Sequence, residues 1–369
     1  MANLFDYLLW RGDLAFDRVP ACEIDGMILA RLSYLPLDGL VDGKISIARL
    51  AESALEQSVL TNQDEKLLRA LCSCDRFSGV LLSDYVNLVD PETQTQFAAV
   101  TAEISENMFF VAFRGTDNTL VGWKEDFNMS FTFPVPSQTE AVGYFERVAA
   151  ARPRGSFLLG GHSKGGNLAA CAAAFCSPEL QDRILRVMSF DGPGFAREVL
   201  EREGYRRICG RISTFVPQSS VVGMLLEHEE KYTVIRSTQV GPWQHDLLSW
   251  EVQGGSFITL EHVTGSSVFV DRTLKLLVSE MSPRQREALV DTVYELLTAT
   301  NARTLKELGG NLVQNLAVIR NSVKNLDEPT KKLFLECGRI FLSSAKRTAL
   351  LSLREEWNRS DPTERLGGQ

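Results

Sequence analysis

The sequence predicts an α/β protein in which a mostly parallel central sheet is flanked by helices. Two observations favour this fold class. From about residue 95 onward, short apolar segments of strand length alternate with segments of helix length, an order typical of parallel sheets that are covered on both faces. A glycine-rich turn at 160–166 also lies between an apolar strand and an alanine-rich helix. We therefore divide the chain into 1–90, 91–275 and 276–369.

The first segment, 1–90, is predicted to be mainly helical and to pack on the core. Apolar residues recur at helical spacing around 25–32, 45–60 and 65–71. None of these stretches carries a motif that suggests chemistry. Cys72 and Cys74 form a C-x-C pair without the further ligands that a zinc site requires, so we predict no metal there.

The core, 91–275, is predicted to begin with a hairpin and to continue with separate strands. The expected strands are 97–104, 108–113, 156–159, 185–190, 211–216 and 232–236. Between the second and third of these, Phe127, Met129, Phe131 and Phe133 alternate with polar residues. This period of two predicts an edge strand or a pocket wall.

The C-terminal region, 276–369, is predicted to be a helical appendage. Ser282, Pro283 and Gln285 form a capping-box start with proline at the first helical position. Further apolar stripes at helical spacing are expected over 304–323 and 333–342, and we predict that they pack on the core or on each other.

Composition narrows the classes of function. With 39 basic and 47 acidic residues, the net charge is −8, which disfavours binding to a nucleic-acid backbone. No apolar run approaches the roughly 20 residues that a transmembrane helix needs. The N-terminus lacks the basic segment of a secretory signal, and we therefore expect a cytoplasmic protein.

The strongest chemical signal is a G-x-S-x-G motif formed by Gly161, Ser163 and Gly165. The strand before it and the helix after it are the context that a nucleophile elbow requires. Small neighbours allow a turn tight enough to lift the Ser163 hydroxyl away from the sheet. The same turn places the backbone N–H of Lys164 at the start of a helix, where it can stabilise an oxyanion.

A second segment is expected to complete the oxyanion hole. Arg114, Gly115 and Thr116 follow an apolar strand upstream of the elbow. Acyl transfer needs another donor from a neighbouring strand end, and Thr116 could supply its backbone N–H, its hydroxyl or both. We expect Arg114, Trp123 and Asp126 to brace this loop.

These motifs resemble those of the class 3 lipases, the fungal triacylglycerol lipase type. F-R-G-T followed by W-x-x-D, within 113–126, and G-H-S-x-G-G at 161–166 carry the resemblance. F-D-G-P-G-F at 190–195 and Q-H-D at 244–246 are similar to a bacterial branch, the Mbeg-like proteins. The resemblance covers about residues 80–265. It implies an α/β-hydrolase fold, a Ser–Asp–His triad and ester hydrolysis without a cofactor.

A serine hydroxyl needs a base to accept its proton, and the sequence has four histidines. His162 is expected to pack behind the turn, and His228 lies in an acidic stretch that we expect to be solvated. His245 follows a predicted strand late in the core, as the histidine does in this fold. We predict His245 as the base, with His262 as the alternative.

The acid of the triad departs from the lipase pattern. That pattern expects an Asp near position 220, where this sequence has Ser220. We predict that Asp191, at the end of the preceding strand, takes the role. Asp246, Glu227 and a dyad in which Ser220 holds the imidazole stay alternatives.

The motifs together predict a serine hydrolase that cleaves carboxylic esters through an acyl-enzyme on Ser163. The expected substrate is a small-molecule or lipid ester. The alternative is a catalytically weakened lipase-fold protein that acts as a binding or scaffold module, because no Asp lies near Ser220 and because the helical appendage adds a possible binding surface.

Overall fold

The computed structural model describes residues 1–56, 60–117 and 119–300, with isolated positions between 318 and 339. These residues fall into two compact units, which divide between Val263 and Thr264. Within the described ranges, no helix is both long and apolar enough to cross a membrane. Apart from single positions, the stripes predicted over 304–323 and 333–342 lie outside the described residues.

The first unit contains eleven described strands and eleven described α-helices. Its strands are β1 (Ile45–Ser46), β2 (Leu81–Asp90), β3 (Thr95–Ser105), β4 (Met108–Phe113), β5 (Ser156–His162), β6 (Ile184–Phe190), β7 (Ile212–Pro217), β8 (Tyr232–Ile235), β9 (Val252–Gln253), β10 (Ser256–Phe257) and β11 (Thr259–Leu260). Its helices are α1 (Leu4–Arg11), α2 (Glu23–Leu32), α3 (Ile47–Leu55), α4 (Asn62–Cys72), α5 (Asp75–Ser78), α6 (Leu120–Asn128), α7 (Pro136–Ala150), α8 (Lys164–Phe175), α9 (Pro178–Gln181), α10 (Arg197–Leu200) and α11 (Glu203–Cys209).

One sheet of nine strands runs through this unit in the order β1-β2-β3-β4-β5-β6-β7-β8-β11. The five strands from β4 to β8 are parallel, and the outer pairs are antiparallel. Because the parallel strands share one direction, their carboxyl ends lie at one edge of the sheet. The predicted fold class, an α/β-hydrolase with a mostly parallel sheet, is confirmed.

The two faces of the sheet are covered by different parts of the chain. Strand β4 shows the division, because its side chains alternate between the faces. Phe110 and Ala112 join a core with the N-terminal helices, whereas Phe109, Val111 and Phe113 join a core with α7, α8 and α11. The N-terminal helices therefore cover one face of the sheet, and α7, α8 and α11 cover the opposite face.

The sequence did not predict strand β2, which falls within the segment expected to be helical. Its regular alternation is broken where Asp84 adopts a left-handed φ of 56°. The pairing of β2 with β3 shifts register between Ser83 and Val86 at the same place. A bulge of this kind hides the period of two on which strand prediction depends.

The edge strand expected over 127–133 is wrong. Phe127 lies in α6, and the residues that follow it form turns. Trp123 and Phe127 are four residues apart, and their rings contact edge to face with centroids 4.5 Å apart. Aromatic pairs at this spacing stabilise a helix, so the local packing of these side chains favoured a helix over the alternating pattern.

The second unit begins with two helices, α12 (Gly265–Glu280) and α13 (Pro283–Thr298). Ser282 caps α13 as predicted, because its hydroxyl accepts the backbone N–H of Gln285. The Gln285 side chain accepts the backbone N–H of Ser282 in return. This reciprocal pair is the predicted capping box.

Candidate active site

Ser163 lies at a sharp bend between β5 and α8. Its backbone adopts φ 59° and ψ −134°, a conformation that non-glycine residues rarely adopt and that a nucleophile elbow imposes. The bend leaves no room for a side chain at the neighbouring glycines. A Cβ at Gly161 would lie 2.3 Å from the Gly165 carbonyl oxygen. A Cβ at Gly165 would lie 2.2 Å from the carbonyl oxygen of Phe113 in β4. Both glycines of the motif are therefore required by close backbone approach.

Asp191 follows β6, the strand next to β5, and its side chain is buried with 1% of its surface exposed. Oδ1 accepts hydrogen bonds from the Ser220 hydroxyl at 2.5 Å and from the Gly223 amide at 3.1 Å. Oδ2 lies 2.6 Å from Nδ1 of His245. Each oxygen of the buried carboxylate thus has a donor, and the second one faces the imidazole.

His245 ends a 3₁₀ turn, Gly241–His245, that follows β8. The turn is fixed by Gln244, whose side chain accepts the Ser219 amide at 2.8 Å and whose carbonyl accepts the Trp250 indole N–H at 2.9 Å. The His245 ring keeps 31% of its surface exposed. With Nδ1 held by Asp191, the ring has its Nε2 available for proton transfer.

His162 connects the elbow to the His245 turn. Its Nε2 lies 2.8 Å from the carbonyl oxygen of His245, so this nitrogen carries the proton and donates it. Its Nδ1 then accepts the hydroxyl proton of Tyr34 at 2.9 Å. Burial, together with the charge of His245, lowers the pKa of His162 well below its usual range. His162 is therefore a neutral packing residue beside the turn.

The same contact brings the imidazole of His245 to the elbow. The rings of His162 and His245 lie with their centroids 4.3 Å apart, and His162 immediately precedes Ser163. The Ser163 amide also donates to the carbonyl of Phe190, which immediately precedes Asp191, at 2.9 Å. The three residues predicted as a triad are thus gathered at the carboxyl edge of β5 and β6.

The loop after β4 approaches the elbow from the other side. A Cβ at Gly115 would lie 2.9 Å from Cβ of Ser163, so the loop and Ser163 are in contact. The next residue, Thr116, donates its hydroxyl proton to Oδ2 of Asp126 at 2.5 Å. Because that single proton is engaged, the backbone N–H is the donor that Thr116 can offer to a substrate oxygen.

Asp126 lies in α6, and its burial makes its carboxyl a weaker acid than that of an ordinary aspartate. Burial raises its pKa to about 6, against the opposing effect of the Lys164 ammonium. Lys164 Nζ lies 3.9 Å from Oδ1 of Asp126, a buried oxygen that has no hydrogen-bond partner among the described residues. The predicted bracing of the loop by Asp126 is present in the structure as the bond to Thr116.

The side chain of Lys164 has a structural role that the sequence did not suggest. Its ammonium forms a fully buried ion pair with Glu125 of α6 at 2.8 Å and donates to the carbonyl of Gln96 at 2.8 Å. Glu125 also accepts the amides of Gln96 and Ser137. A lysine directly after Ser163, in a glycine-rich turn, was the signal in the sequence.

His228 is not solvated, and that expectation is wrong. Its ring is only 11% exposed, Nδ1 lies 2.9 Å from Glu230, and Nε2 lies 2.9 Å from the carbonyl of Gly223. The acidic neighbours suggested an exposed stretch, but Glu230 turns inward to accept hydrogen bonds from Thr214 and Tyr205. Partners from distant strands and helices decide such burial.

The other candidates lie elsewhere. Asp246 caps the following 3₁₀ turn, accepting the Leu248 amide at 3.0 Å. Glu227 pairs through its backbone with Phe195 and, like His262, is exposed. Ser220 donates a hydrogen bond to Asp191. It therefore supports a carboxylate at position 191, whereas the lipase pattern expects the acid near position 220.

The comparisons with known proteins agree with the predicted resemblance. The model of the Mbeg1-like family matches residues 71–295, which confirms the Mbeg-like assignment. No curated protein matches the chain.

Several solved structures are similar at low identity. A mutant form of MDLA from Penicillium cyclopium is 14% identical, with a TM-score of 0.38, and the match covers 65% of this chain and 87% of that one. A Rhizomucor miehei lipase propeptide complex is 17% identical, with a TM-score of 0.34 and coverage of 44% and 58%. A triacylglycerol lipase described as having a serine protease triad is 14% identical, with a TM-score of 0.38 and coverage of 57% and 77%.

Proposed function

The chain belongs to the Mbeg1-like family, and from the geometry of its site we propose that it is a serine hydrolase that cleaves carboxylic esters. One observation carries the proposal. Nδ1 of His245 lies 2.6 Å from the buried carboxylate of Asp191, and the His245 ring contacts the ring of His162. His162 immediately precedes Ser163, whose backbone is strained. A nucleophile, a base and an orienting acid in this order form a catalytic triad.

In the proposed reaction, Ser163 Oγ attacks the ester carbonyl carbon while its proton passes to Nε2 of His245. Asp191 holds the opposite nitrogen and stabilises the imidazolium that forms. The carbonyl oxygen becomes an oxyanion, which accepts hydrogen bonds from the backbone N–H groups of Thr116 and Lys164.

The tetrahedral intermediate collapses when His245 returns the proton to the leaving alkoxide, which departs as an alcohol. The acyl group is then an ester of Ser163. Water attacks this ester and gives one proton to His245, and the carboxylic acid leaves as Ser163 regains its proton. Every step uses protein groups and water.

The scaffold alternative rested on the missing Asp near Ser220 and on the helical appendage. The contact between Asp191 and His245 supports the catalytic function instead, since it supplies the carboxylate from the neighbouring strand. The proposed substrate class is a small-molecule or lipid ester. The cytoplasmic location and the absence of a metal or cofactor stay predictions from the sequence.

Active-site labelling tests the proposal. The purified protein should react with a fluorophosphonate probe and hydrolyse members of a panel of nitrophenyl esters. Ser163→Ala should abolish labelling and lower kcat/KM by at least 10³-fold. Ser73→Ala changes an exposed serine in the N-terminal helical segment and should leave both unchanged. Folded wild-type protein that neither labels nor hydrolyses any ester would contradict the proposal.

A further inference from the structure

His228 is connected to the proposed triad through a single residue, Gly223. The His228 ring lies between Glu230 and the 3₁₀ turn Val222–Met224. Its Nε2 is 2.9 Å from the carbonyl oxygen of Gly223, while the amide of Gly223 donates to Asp191 at 3.1 Å. One glycine therefore receives a hydrogen bond from His228 and gives one to the carboxylate that holds His245.

Gly223 can make this connection because it has no side chain. A Cβ at this position would lie 2.4 Å from Oδ1 of Asp191 and 2.7 Å from a methyl group of Val216. Only glycine lets the backbone approach the carboxylate so closely. The turn must therefore be positioned by contacts to its backbone, and the bond from His228 is one of these.

The other side of the His228 ring is anchored by Glu230. Burial by itself would raise the pKa of Glu230, but the hydrogen bonds from His228, Thr214 and Tyr205 outweigh it and lower the value to about 2. Thr214 belongs to β7 and bonds at 2.6 Å, and Tyr205 belongs to α11 and bonds at 2.7 Å. The carboxylate is fixed to the sheet and to a helix, so it fixes the ring in turn.

The two contacts of the ring define its chemistry. Nδ1 faces a carboxylate and Nε2 faces a carbonyl oxygen, and both of these groups are acceptors. Nε2 must carry a proton, because a carbonyl oxygen can only accept a hydrogen bond. Among the described residues, hydrogen bonds connect the ring to three titratable groups: Glu230 directly, Tyr205 through Glu230 and Asp191 through Gly223.

We propose that His228 is a positioning residue for the triad acid: held by Glu230, it fixes Gly223, and Gly223 fixes Asp191 against His245. This inference rests on the proposed function, because it assigns His228 a part in that same site. His228 touches no substrate and exchanges no proton with one.

His228→Gln tests the proposal, since the flexible amide of glutamine does not place donors at the positions of both ring nitrogens. We expect kcat/KM to fall about tenfold. The acid limb of the pH profile of kcat/KM should also move to lower pH, because a less firmly held Asp191 stabilises the imidazolium of His245 less. His262→Gln, at an exposed histidine of the same unit, should change neither quantity.

Glu230→Gln provides the complementary variant. The new amide can donate to Nδ1 of a neutral His228 ring, whose Nε2 then still donates to the Gly223 carbonyl. We expect kcat/KM to stay within about threefold of the wild type and well above that of His228→Gln. A folded His228→Gln protein with an unchanged acid limb and with kcat/KM within twofold of the wild type would overturn the proposal.

The wild type supplies a measurement that needs no variant to fold and no activity. In ¹⁵N spectra of the imidazole rings, Nε2 of His228 should carry a proton. A ring whose Nε2 is unprotonated would overturn the proposal. Failure of the proposed function is a separate outcome, since it would leave wild-type protein unlabelled by the fluorophosphonate probe whatever His228 does.

Discussion

The two sides of the proposed active site are held by different interactions. On the oxyanion side, a fully buried ion pair between Lys164 and Glu125 ties the start of α8 to α6. On the imidazole side, Asp191 and His245 are held by hydrogen bonds from turns that lie far apart in the sequence. On the oxyanion side, loss of one partner of the ion pair leaves the other as an uncompensated buried charge. On the imidazole side, loss of a hydrogen-bond partner mainly misorients His245. The oxyanion side should therefore govern stability and the imidazole side should govern catalysis.

The largest effect is expected from Asp191→Asn. The amide keeps an oxygen for the Ser220 and Gly223 donors but no longer stabilises the imidazolium of His245. We expect kcat to fall about 10⁴-fold, with the free energy of unfolding changed far less than the activity. Steady-state kinetics on a nitrophenyl ester and denaturant unfolding measure the two effects.

Asp246→Asn is the matched control, because it changes the acid adjacent to His245 in sequence. Its rate should stay within about threefold of the wild type. If Asp246→Asn lost as much activity as Asp191→Asn, the assignment of the triad acid would be wrong.

The next effect concerns stability on the oxyanion side. Lys164→Met leaves the Glu125 carboxylate buried without its cation, and we expect the free energy of unfolding to fall by about 3–5 kcal/mol. The double variant with Glu125→Gln removes the uncompensated charge and should recover a large part of the loss. Urea unfolding of the four proteins in this cycle measures the coupling.

Lys44→Met is the control for this cycle. Lys44 forms an ion pair with Glu103 at 2.7 Å, close to the 2.8 Å between Lys164 and Glu125, but its side chain is 56% exposed. Exposed pairs contribute about 0–1 kcal/mol, so the loss should be small. Equal losses for Lys44→Met and Lys164→Met would refute the idea that burial sets the difference between the pairs.

The smallest effect is a pH dependence that comes from Asp126. In the unfolded chain this carboxyl titrates near its ordinary value of 3.8, whereas burial raises the pKa in the folded protein to about 6. Between about pH 4 and 6 the unfolded chain releases a proton that the folded chain keeps, so stability falls as pH rises through this window. Above it, the penalty stays constant.

Asp126→Asn removes this titration while keeping an acceptor for Thr116. The wild type should lose about 1–2 kcal/mol relative to the variant between pH 4 and 6, a range that allows for the third of the Asp126 side chain reached by solvent. Thermal unfolding of both proteins at several pH values measures the difference. If the stabilities of the two proteins changed in parallel with pH between about pH 4 and 6, Asp126 would titrate normally in the folded state.

Sequence prediction succeeded where the structure is local. Gly161, Ser163 and Gly165 lie within five consecutive residues, and a strand and a helix on either side suffice to specify the bend. Thr116 and Asp126 are likewise close in the chain, so the motif that contains them predicted that Asp126 braces the loop of Thr116. For these residues, spacing along the chain translates directly into spacing in the structure.

Prediction was weaker where partners come from distant segments. The acidic residues around His228 suggested solvent, yet Tyr205 and Thr214 from a helix and a strand draw Glu230 inward. Tyr34, in a region without any motif, reaches His162 across the sheet edge. A single sequence does not encode which side chains from separate elements will meet, because the packing of those elements decides it.

The sequence by itself determined the α/β class, the elbow and the helix that follows it, since each depends on residues adjacent in the chain and on the steric limits of a tight turn. Only the tertiary structure decided that Asp191 pairs with His245 and that the side chain of Lys164 is buried in an ion pair. The reason is physical: hydrogen bonds and buried charges need partners within about 3 Å, and only the folded sheet brings β6, α6 and the turn of His245 to the same edge.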